Sequence, residues 1–237
     1  MLSSRVAFIL AALITLWPGQ ALAASGATGP LERRLAAWPA WSLPAPLSRP
    51  GRSDLRYPDW FSGAWWVHSL EEGSGEPIPA YPVRFLRDDR GAVVGDRAFN
   101  ATQVGDALLG GQLLSVANDP ANPNRQLALL RGDLELESTV IGRRSKPEPA
   151  AMARDMAREN LQEFLADELT LQVLHGPGGA RISRVETLSR YSFVAGTPGH
   201  ELIRGEQWQA TYPSPEQGLV AQASGGHHLW LLLSRSP

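Results

Sequence analysis

An aromatic block at residues 57–67 constrains the fold of this chain more than any other feature. The block holds three of the eight tryptophans in the sequence. Large aromatic side chains dominate the energetics of a core, so the rest of the chain must supply a pocket for these rings. Trp65 and Trp66 are adjacent on a β-like run, which means that one faces inward and the other outward. We therefore expect the folded domain to begin at this block.

Residues 1–23 have the pattern of a signal peptide. Arg5 precedes an apolar run, residues 6–17, that is too short to cross a bilayer comfortably, and a small-X-small cleavage motif ends at Ala23. We predict cleavage before Ala24, with cleavage one residue later as a close alternative and an uncleaved anchor as the other interpretation. The sequence thus predicts an exported protein with no transmembrane segment after cleavage.

The composition excludes several classes of function. The chain has no cysteine, so disulfides, thiolate metal sites and thiol catalysis are impossible. Its formal net charge is −2 at pH 7, which gives no reason to expect nucleic acid or an anionic membrane as a partner.

Residues 24–56 are predicted to form a proline-rich N-terminal arm. Leu31 to Trp38 is compatible with two helical turns, but four prolines between residues 39 and 50 prevent regular structure from continuing. Trp38 and Trp41 are unusual in a linker, which favours an arm that lies against the domain surface. A loosely held arm is the alternative.

Residues 57–237 are predicted to form one domain built mainly from β-strands. Short alternating runs recur through this region and are separated by turn signals such as residues 88–91. In one of these runs, Leu134, Leu136, Ser138 and Val140 share one face. Many short strands at short intervals are typical of antiparallel barrels and sandwiches. We predict a single antiparallel β-barrel.

Two stretches interrupt the strand pattern with helical signals. Residues 101–109 are predicted to form a short helix capped by Asn100 or Thr102, after a returning strand at residues 92–99. Residues 150–164 form the strongest helix candidate, although their apolar side chains are spread widely around the axis. We therefore expect one or two peripheral α-helices.

Six sequence blocks together carry a resemblance to a known family. The blocks are Tyr57–Gly63, Asp96–Asn100, Asn122–Gln126, Glu137–Arg144, Arg184–Tyr191 and Glu206–Gly218. The set resembles an uncharacterised family of exported cyanobacterial proteins with chloroplast relatives. That family has no established activity to transfer, but the resemblance implies a location in the thylakoid lumen or periplasm of a photosynthetic cell.

A second resemblance, to lipocalin-type (calycin) barrels, rests on Gly63 and Trp65 at the head of the first long strand. In such barrels the glycine permits a tight turn into the strand and the tryptophan plugs one end. Lipocalins often place an arginine from late in the chain over this tryptophan. The resemblance implies that Arg235 or Arg204 takes that part here, in a lipocalin-like barrel.

Charged and aromatic residues within the strand patterns are the candidate ligand-binding side chains. They are Trp65, Arg84, Arg143, Glu186, Arg190, Glu206, Trp208 and Tyr212. Inside a barrel, such groups could bind an amphiphile by its head group, because a buried guanidinium needs an anionic partner. The alternative is that these charges lie on the solvated outer face and pair across strands. The sequence does not show which face of each strand points into the barrel.

Motifs for catalysis and metal binding are absent from the sequence. It has no Gly-X-Ser-X-Gly elbow, phosphate loop or zinc-protease helix. The adjacent His227 and His228 would point to opposite faces of a strand and so could not chelate one ion together. We expect no enzymatic activity, no metal and no cofactor.

The leading functional expectation is non-enzymatic binding of a small apolar or amphipathic molecule, such as a pigment, lipid or quinone, inside the barrel. The alternative is an accessory or assembly factor that docks on photosynthetic membrane complexes. That factor would have a filled barrel and an exposed aromatic surface around Trp66, or around Trp38 and Trp41.

Overall fold

A computed structural model describes residues 29–44, 46–75, 77–146, 162–197, 199–214 and 222–235. The predicted signal peptide, residues 1–23, lies outside the described residues, and so does most of the predicted helix at residues 150–164. The last three residues of that helix prediction, 162–164, begin a strand instead.

Eleven strands form within the described residues, in agreement with the alternating patterns of the sequence. They are β1 Arg56–Tyr57, β2 Gly63–Glu71, β3 Pro77–Arg87, β4 Val93–Gly95, β5 Leu113–Asp119, β6 Asn122–Leu130, β7 Leu134–Lys146, β8 Gln162–His175, β9 Arg181–Val194, β10 Leu202–Tyr212 and β11 Gly225–Arg235.

All of these strands belong to one antiparallel sheet. Their order is β1-β4-β3-β2-β11-β10-β9-β8-β7-β6-β5. The sheet curls into a half-barrel, because strand twist accumulates across neighbouring strands. The mainly-β, barrel-like fold predicted from the sequence is confirmed.

In the part of the chain that the structure describes, two α-helices and a short 3-10 helix accompany the sheet. Helix α1, Pro30–Ala36, lies in the N-terminal arm and confirms the helical turns predicted there. The 3-10 helix, Asp59–Phe61, leads into β2. Helix α2, Arg97–Leu109, follows β4.

Helix α2 begins four residues earlier than the sequence predicted. The Asp96 side chain accepts a hydrogen bond from the backbone N–H of Phe99 and so caps the helix. The prediction of a returning strand through residue 99 is therefore wrong after Gly95. The helix ends at Gly110, which has a φ of 54°, the left-handed conformation that glycine adopts at little cost.

Helix α2 covers the interior of the half-barrel. It packs against β3 and β5, which lie towards opposite edges of the sheet. Val104 on this helix is buried in a core cluster with Phe61, Trp65 and Val83. The interior therefore has the sheet on most sides and a helix across its open side.

The N-terminal arm packs on the outer face of the sheet. Leu31 and Trp41 form a second core cluster with Leu188, Trp208 and Tyr212 from β9 and β10. Trp41 is 1% exposed. This packing favours the interpretation in which the arm lies against the domain, and it leaves the middle strands buried on both faces.

Candidate functional site: a two-sided cavity inside the half-barrel

The interior of the half-barrel encloses a cavity of about 190 Å³, lined by residues of β1–β4, β6–β11 and α2. One wall is apolar, and its main contributors are Tyr57, Val67, Val83, Phe85, Leu231 and Leu233. The opposite wall carries amides and hydroxyls, contributed by Gln126, Ser138, Thr170, Thr187, Ser189 and Gln207. A molecule in the cavity would therefore contact apolar side chains on one side and hydrogen-bonding groups on the other.

Strand alternation and register explain the polar wall. Ser138 on β7 lies directly opposite Gln126 on β6 and Gln172 on β8. Directly paired residues project to the same face of a sheet. Thr170, two residues before Gln172, also lines the cavity, so Gln172 shares the inward face.

Some polar groups of this wall bond to other side chains. The Gln207 Nε2 donates to Ser189 Oγ over 3.1 Å, and the Gln126 Nε2 donates to Asn118 Oδ1 over 3.2 Å. These bonds fix the orientation of the two amides. The polar wall is therefore partly pre-organised.

Other polar groups on the inward face have no such bonds. Ser138 is 3% exposed and Gln172 is 1% exposed. Within the described part of the chain, the Ser138 Oγ and both amide atoms of Gln172 lack a hydrogen-bond partner. An unsatisfied buried polar group costs about 1–3 kcal/mol. Such groups mark places where an ordered water or a ligand completes the bonding.

Arg97 and Glu168 line the cavity and belong to a cluster of four charged side chains. Arg97 Nη2 is 3.0 Å from Glu168 Oε1 and 2.7 Å from Asp54 Oδ1. Arg143 Nη2 is 2.6 Å from the same oxygen of Glu168. Burial alone would raise the pKa of Glu168, but Arg97 and Arg143 outweigh it and lower that pKa. Two guanidinium groups and two carboxylates thus neutralise one another here.

Arg97 also separates the interior from a second, outer cavity. This outer cavity measures about 180 Å³ and includes Asp54, Asp119 and Pro123 in its lining. Arg97 and Gly95 line both cavities. The Arg97 side chain therefore stands between the interior and the pocket outside it.

Two tyrosines complete the lining near the apolar wall. Burial raises the pKa of Tyr191 to about 12 and raises that of Tyr57 well above its ordinary value. Both phenols therefore stay neutral at physiological pH. The cavity surface that they add is aromatic and uncharged.

Residues 70–226, about two-thirds of the chain, match a family described as "Domain of unknown function (DUF6816)". The chain belongs to this family. No curated protein and no solved structure matches it. The DUF6816 segment contains the whole polar wall and both arginines of the charged cluster. Parts of the apolar wall, including Tyr57 and Leu231, lie outside the segment.

Trp65 of this DUF6816 protein lies in the interior core. Its Nε1 donates to the Phe61 carbonyl oxygen over 2.7 Å. The Cζ atom of Arg235 lies 3.9 Å from the centroid of its ring. Of the two arginines proposed for this position, the structure places Arg235 over Trp65, while Arg204 is exposed.

Arg84 lies on the outer face of β3. It forms an ion pair with Asp96, with Nη2 2.7 Å from Oδ2, and its guanidinium lies over the Phe99 ring at 4.1 Å. The neighbouring Val83 and Phe85 take the inward positions. Arg84 therefore contributes to the junction between β3 and α2 and not to the cavity.

Glu186, Trp208 and Tyr212 lie on the outer face beneath the arm. Glu186 is fully buried and accepts bonds from Arg34 Nη2 and from the Tyr212 hydroxyl, each over 2.5 Å. Burial and the charge of Glu186 together raise the pKa of Tyr212. These residues anchor the arm to the sheet.

Arg190 and Glu206 also face outward. They lie directly opposite each other on β9 and β10 and form an ion pair. The Arg190 guanidinium lies 5.4 Å from the centroid of the Trp208 ring. This arrangement matches the cross-strand pairing that was the alternative interpretation of the sequence.

Arg143 bonds to a residue of the cavity lining, because its Nε donates to Glu168 over 2.7 Å. The structure does not bring the eight predicted residues together at one site. Sequence reasoning missed Gln172, Arg97 and Glu168 because their roles depend on strand register and long-range contacts. Ser138 did leave a signal, since it is a polar residue on an otherwise apolar face.

Among the described residues, histidine and acidic side chains form no group of three or more that could hold a metal ion. Among the same residues, no helix combines the length and the apolar character needed to cross a bilayer.

Proposed function

We propose that this protein binds a small amphipathic molecule inside the half-barrel and catalyses no reaction on it. The observation that carries the proposal is the two-sided lining of the interior cavity, apolar on β2, β3 and β11 and hydrogen-bonding on β6–β10. Binding sites for small molecules are mainly apolar with a few placed polar groups. An amphipathic molecule satisfies both walls at once.

The size of the cavity limits the ligand. Pockets for drug-sized ligands measure roughly 300–1,000 Å³, whereas this cavity measures about 190 Å³. An engineered apolar cavity of about 150 Å³ holds benzene. The proposed ligand is therefore about the size of one small ring or a short chain. A pigment, lipid or quinone would enter with one end only, or would require a wider interior.

We also propose that the protein is exported and works in the thylakoid lumen or periplasm, as the signal-like residues 1–23 and the resemblance to exported proteins suggest. A lipocalin-like barrel is part of the same proposal. The position of Arg235 over the Trp65 ring supports it, because lipocalins often place a late arginine over the first-strand tryptophan.

Docking on a photosynthetic membrane complex stays a prediction. The aromatic surface suggested for it is reduced because Trp41 is buried between the arm and the sheet, while Trp38 and Trp66 are half-buried. The open interior favours ligand binding over this alternative.

Hexanol tests the proposed function as a small amphipathic probe. We expect its addition to shift the amide resonances of cavity-lining residues such as Val67 and Thr170. Ala101 lines the cavity from α2, so Ala101→Leu should fill the space and abolish these shifts. Ala36→Leu, at an exposed position of α1, is the matched control and should leave them intact.

Two outcomes of this titration would overturn the proposed function. One is a set of shifts scattered over the outer surface with none in the interior. The other is unchanged hexanol binding in the Ala101→Leu variant.

A further inference from the structure

A row of polar side chains crosses three neighbouring strands on the inward face of the sheet. Gln126, Ser138 and Gln172 lie side by side on β6, β7 and β8. Gln126 and Ser138 line the cavity, and Gln172 lies next to Ser138 on the same face. All three are buried. Buried polar groups in an apolar interior are costly unless they are hydrogen-bonded. The row therefore requires partners.

Gln126 finds its partners within the protein. Its Nε2 donates to Asn118 Oδ1 and to the Pro123 carbonyl oxygen, over 3.2 and 3.0 Å. The next two members of the row differ. Considering the described residues alone, neither the Ser138 hydroxyl nor the Gln172 amide finds a hydrogen-bond partner. Within the row, the hydrogen-bonding groups that lack partners therefore lie at two adjacent positions, Ser138 and Gln172.

The nearby charges do not offer a site for an ionic ligand. Glu168 is engaged by Arg97 and by Arg143, with N–O distances of 3.0 and 2.6 Å. Asp54 is engaged by Arg97 at 2.7 Å. An anionic ligand would have to displace one of these carboxylates, and a charged ligand left unpaired in the interior would be strongly disfavoured.

We propose that Ser138 and Gln172 recognise an uncharged oxygen-bearing group of the ligand, a hydroxyl or a neutral carbonyl or amide. This inference rests on the proposed function and adds the chemical class of the molecule bound. A serine hydroxyl both donates and accepts, and a glutamine side chain donates through nitrogen and accepts through oxygen. The apolar wall holds the body of the ligand.

Four small aromatic probes separate recognition of oxygen from recognition of shape or charge. Phenol and toluene are similar in shape and differ in one hydroxyl. Benzamide and benzoate are similar in shape and differ in charge. Titrations of the purified protein should show roughly three- to tenfold tighter binding of phenol than of toluene, because one net hydrogen bond is gained. Benzamide should likewise bind more tightly than benzoate.

Variants at the two positions assign the preference to these side chains. Ser138→Ala should remove the preference for phenol. It should not lower the thermal midpoint of the free protein, because the Oγ makes no bond there to any described residue. Ser145→Ala changes an exposed serine on the same strand and should retain the preference. Gln172→Met, which keeps the size and removes the amide, should weaken benzamide binding.

Three results of these experiments would contradict the inference, one of its premises or the proposed function. Equal binding of phenol and toluene, or a preference that survives in both variants, would mean that ordered water satisfies the row. That result overturns the inference and leaves hexanol binding standing. A lowered midpoint in Ser138→Ala contradicts the premise that its hydroxyl is unbonded. If neither hexanol nor any of the four probes binds, the proposed function fails together with the inference.

Discussion

The guanidinium of Arg235 lies over the ring of Trp65 on β2, with its Cζ atom 3.9 Å from the ring centroid. The two residues are direct neighbours in the register of β11 and β2. Arg235 Nη1 also donates to the Ser62 carbonyl oxygen over 2.8 Å. This contact joins the last strand of the sheet to the first long one, at the end of the interior core.

Replacing Arg235 should weaken the fold. Arg235→Ala removes a cation–π contact and a charge-assisted hydrogen bond, so we expect the free energy of unfolding to fall by about 2 kcal/mol. Urea denaturation measures the change. Arg204→Ala, at an exposed position on β10, is the control and should stay within about 0.5 kcal/mol. Equal effects of the two substitutions would contradict the role assigned to Arg235.

A side chain at position 63, in place of Gly63, should destabilise the fold. Its φ is +107°, and an added Cβ would lie 3.0 Å from Arg235 Nη1. We expect Gly63→Ala to cost about 1–3 kcal/mol of unfolding free energy, because other residues rarely adopt this conformation. Gly73→Ala is the comparison, since nothing lies within 4 Å of a Cβ at that turn. The prediction fails if both alanine variants unfold at the same urea concentration as the parent.

Arg34 should hold the N-terminal arm in place. Its Nη2 lies 2.5 Å from the fully buried carboxylate of Glu186. Arg34→Met leaves that carboxylate without its guanidinium, a change that typically costs about 3–5 kcal/mol. Hydrogen exchange should then show faster exchange in residues 29–44. Arg49→Met, at an exposed arm position, should leave the exchange unchanged; comparable exchange in the two variants would argue against the anchor.

Asp167 should make stability depend on pH. Burial, and then repulsion from Glu186, raises its pKa to about 7 despite an ion pair with Arg144 and the nearby charge of Arg34. An unfolded aspartate has a pKa of about 3.9, so the folded state binds this proton more tightly. The associated stability is complete below about pH 4 and is lost as the pH rises through 7.

Denaturation of the parent and of Asp167→Asn across this pH range measures the effect. The free energy of unfolding of the parent should fall relative to that of the variant as the pH rises from 4 to 7, with little further difference above that. Asp89→Asn, at an exposed turn position, should follow the parent. Parallel curves for the parent and Asp167→Asn would show that the aspartate titrates normally.

The architecture could be predicted from the sequence because it depends on local patterns. Alternation and turn residues indicated the strands, and the residues from Leu31 onward indicated helix α1. The start of α2 was misplaced because Asp96, which caps it, follows a short β-like run that looked like a continuing strand. Local sequence patterns therefore predicted the strands and helix α1, but they did not locate the first residue of α2.

The site depends on information that no local pattern contains. A strand with polar residues on both faces does not reveal which face is inward, and a shift by one residue exchanges them. Glu186 and Trp208 face outward because the arm supplies Arg34 and Trp41 to cover them. The contact between this arm and the sheet is not visible in a local pattern, so the strand containing Glu186 suggested a ligand site inside the barrel. Ser138 and Gln172 become a pair only through the register of β7 and β8.

A small uncharged amphipathic molecule held in the interior should survive gentle purification of the protein from its own host. Native mass spectrometry of that protein, with Ala101→Leu prepared in parallel, detects it. We expect one small neutral molecule per chain, retained by the parent, released on denaturation and lost from the variant. A bare polypeptide mass in both preparations, or an adduct that the variant retains equally, would contradict it.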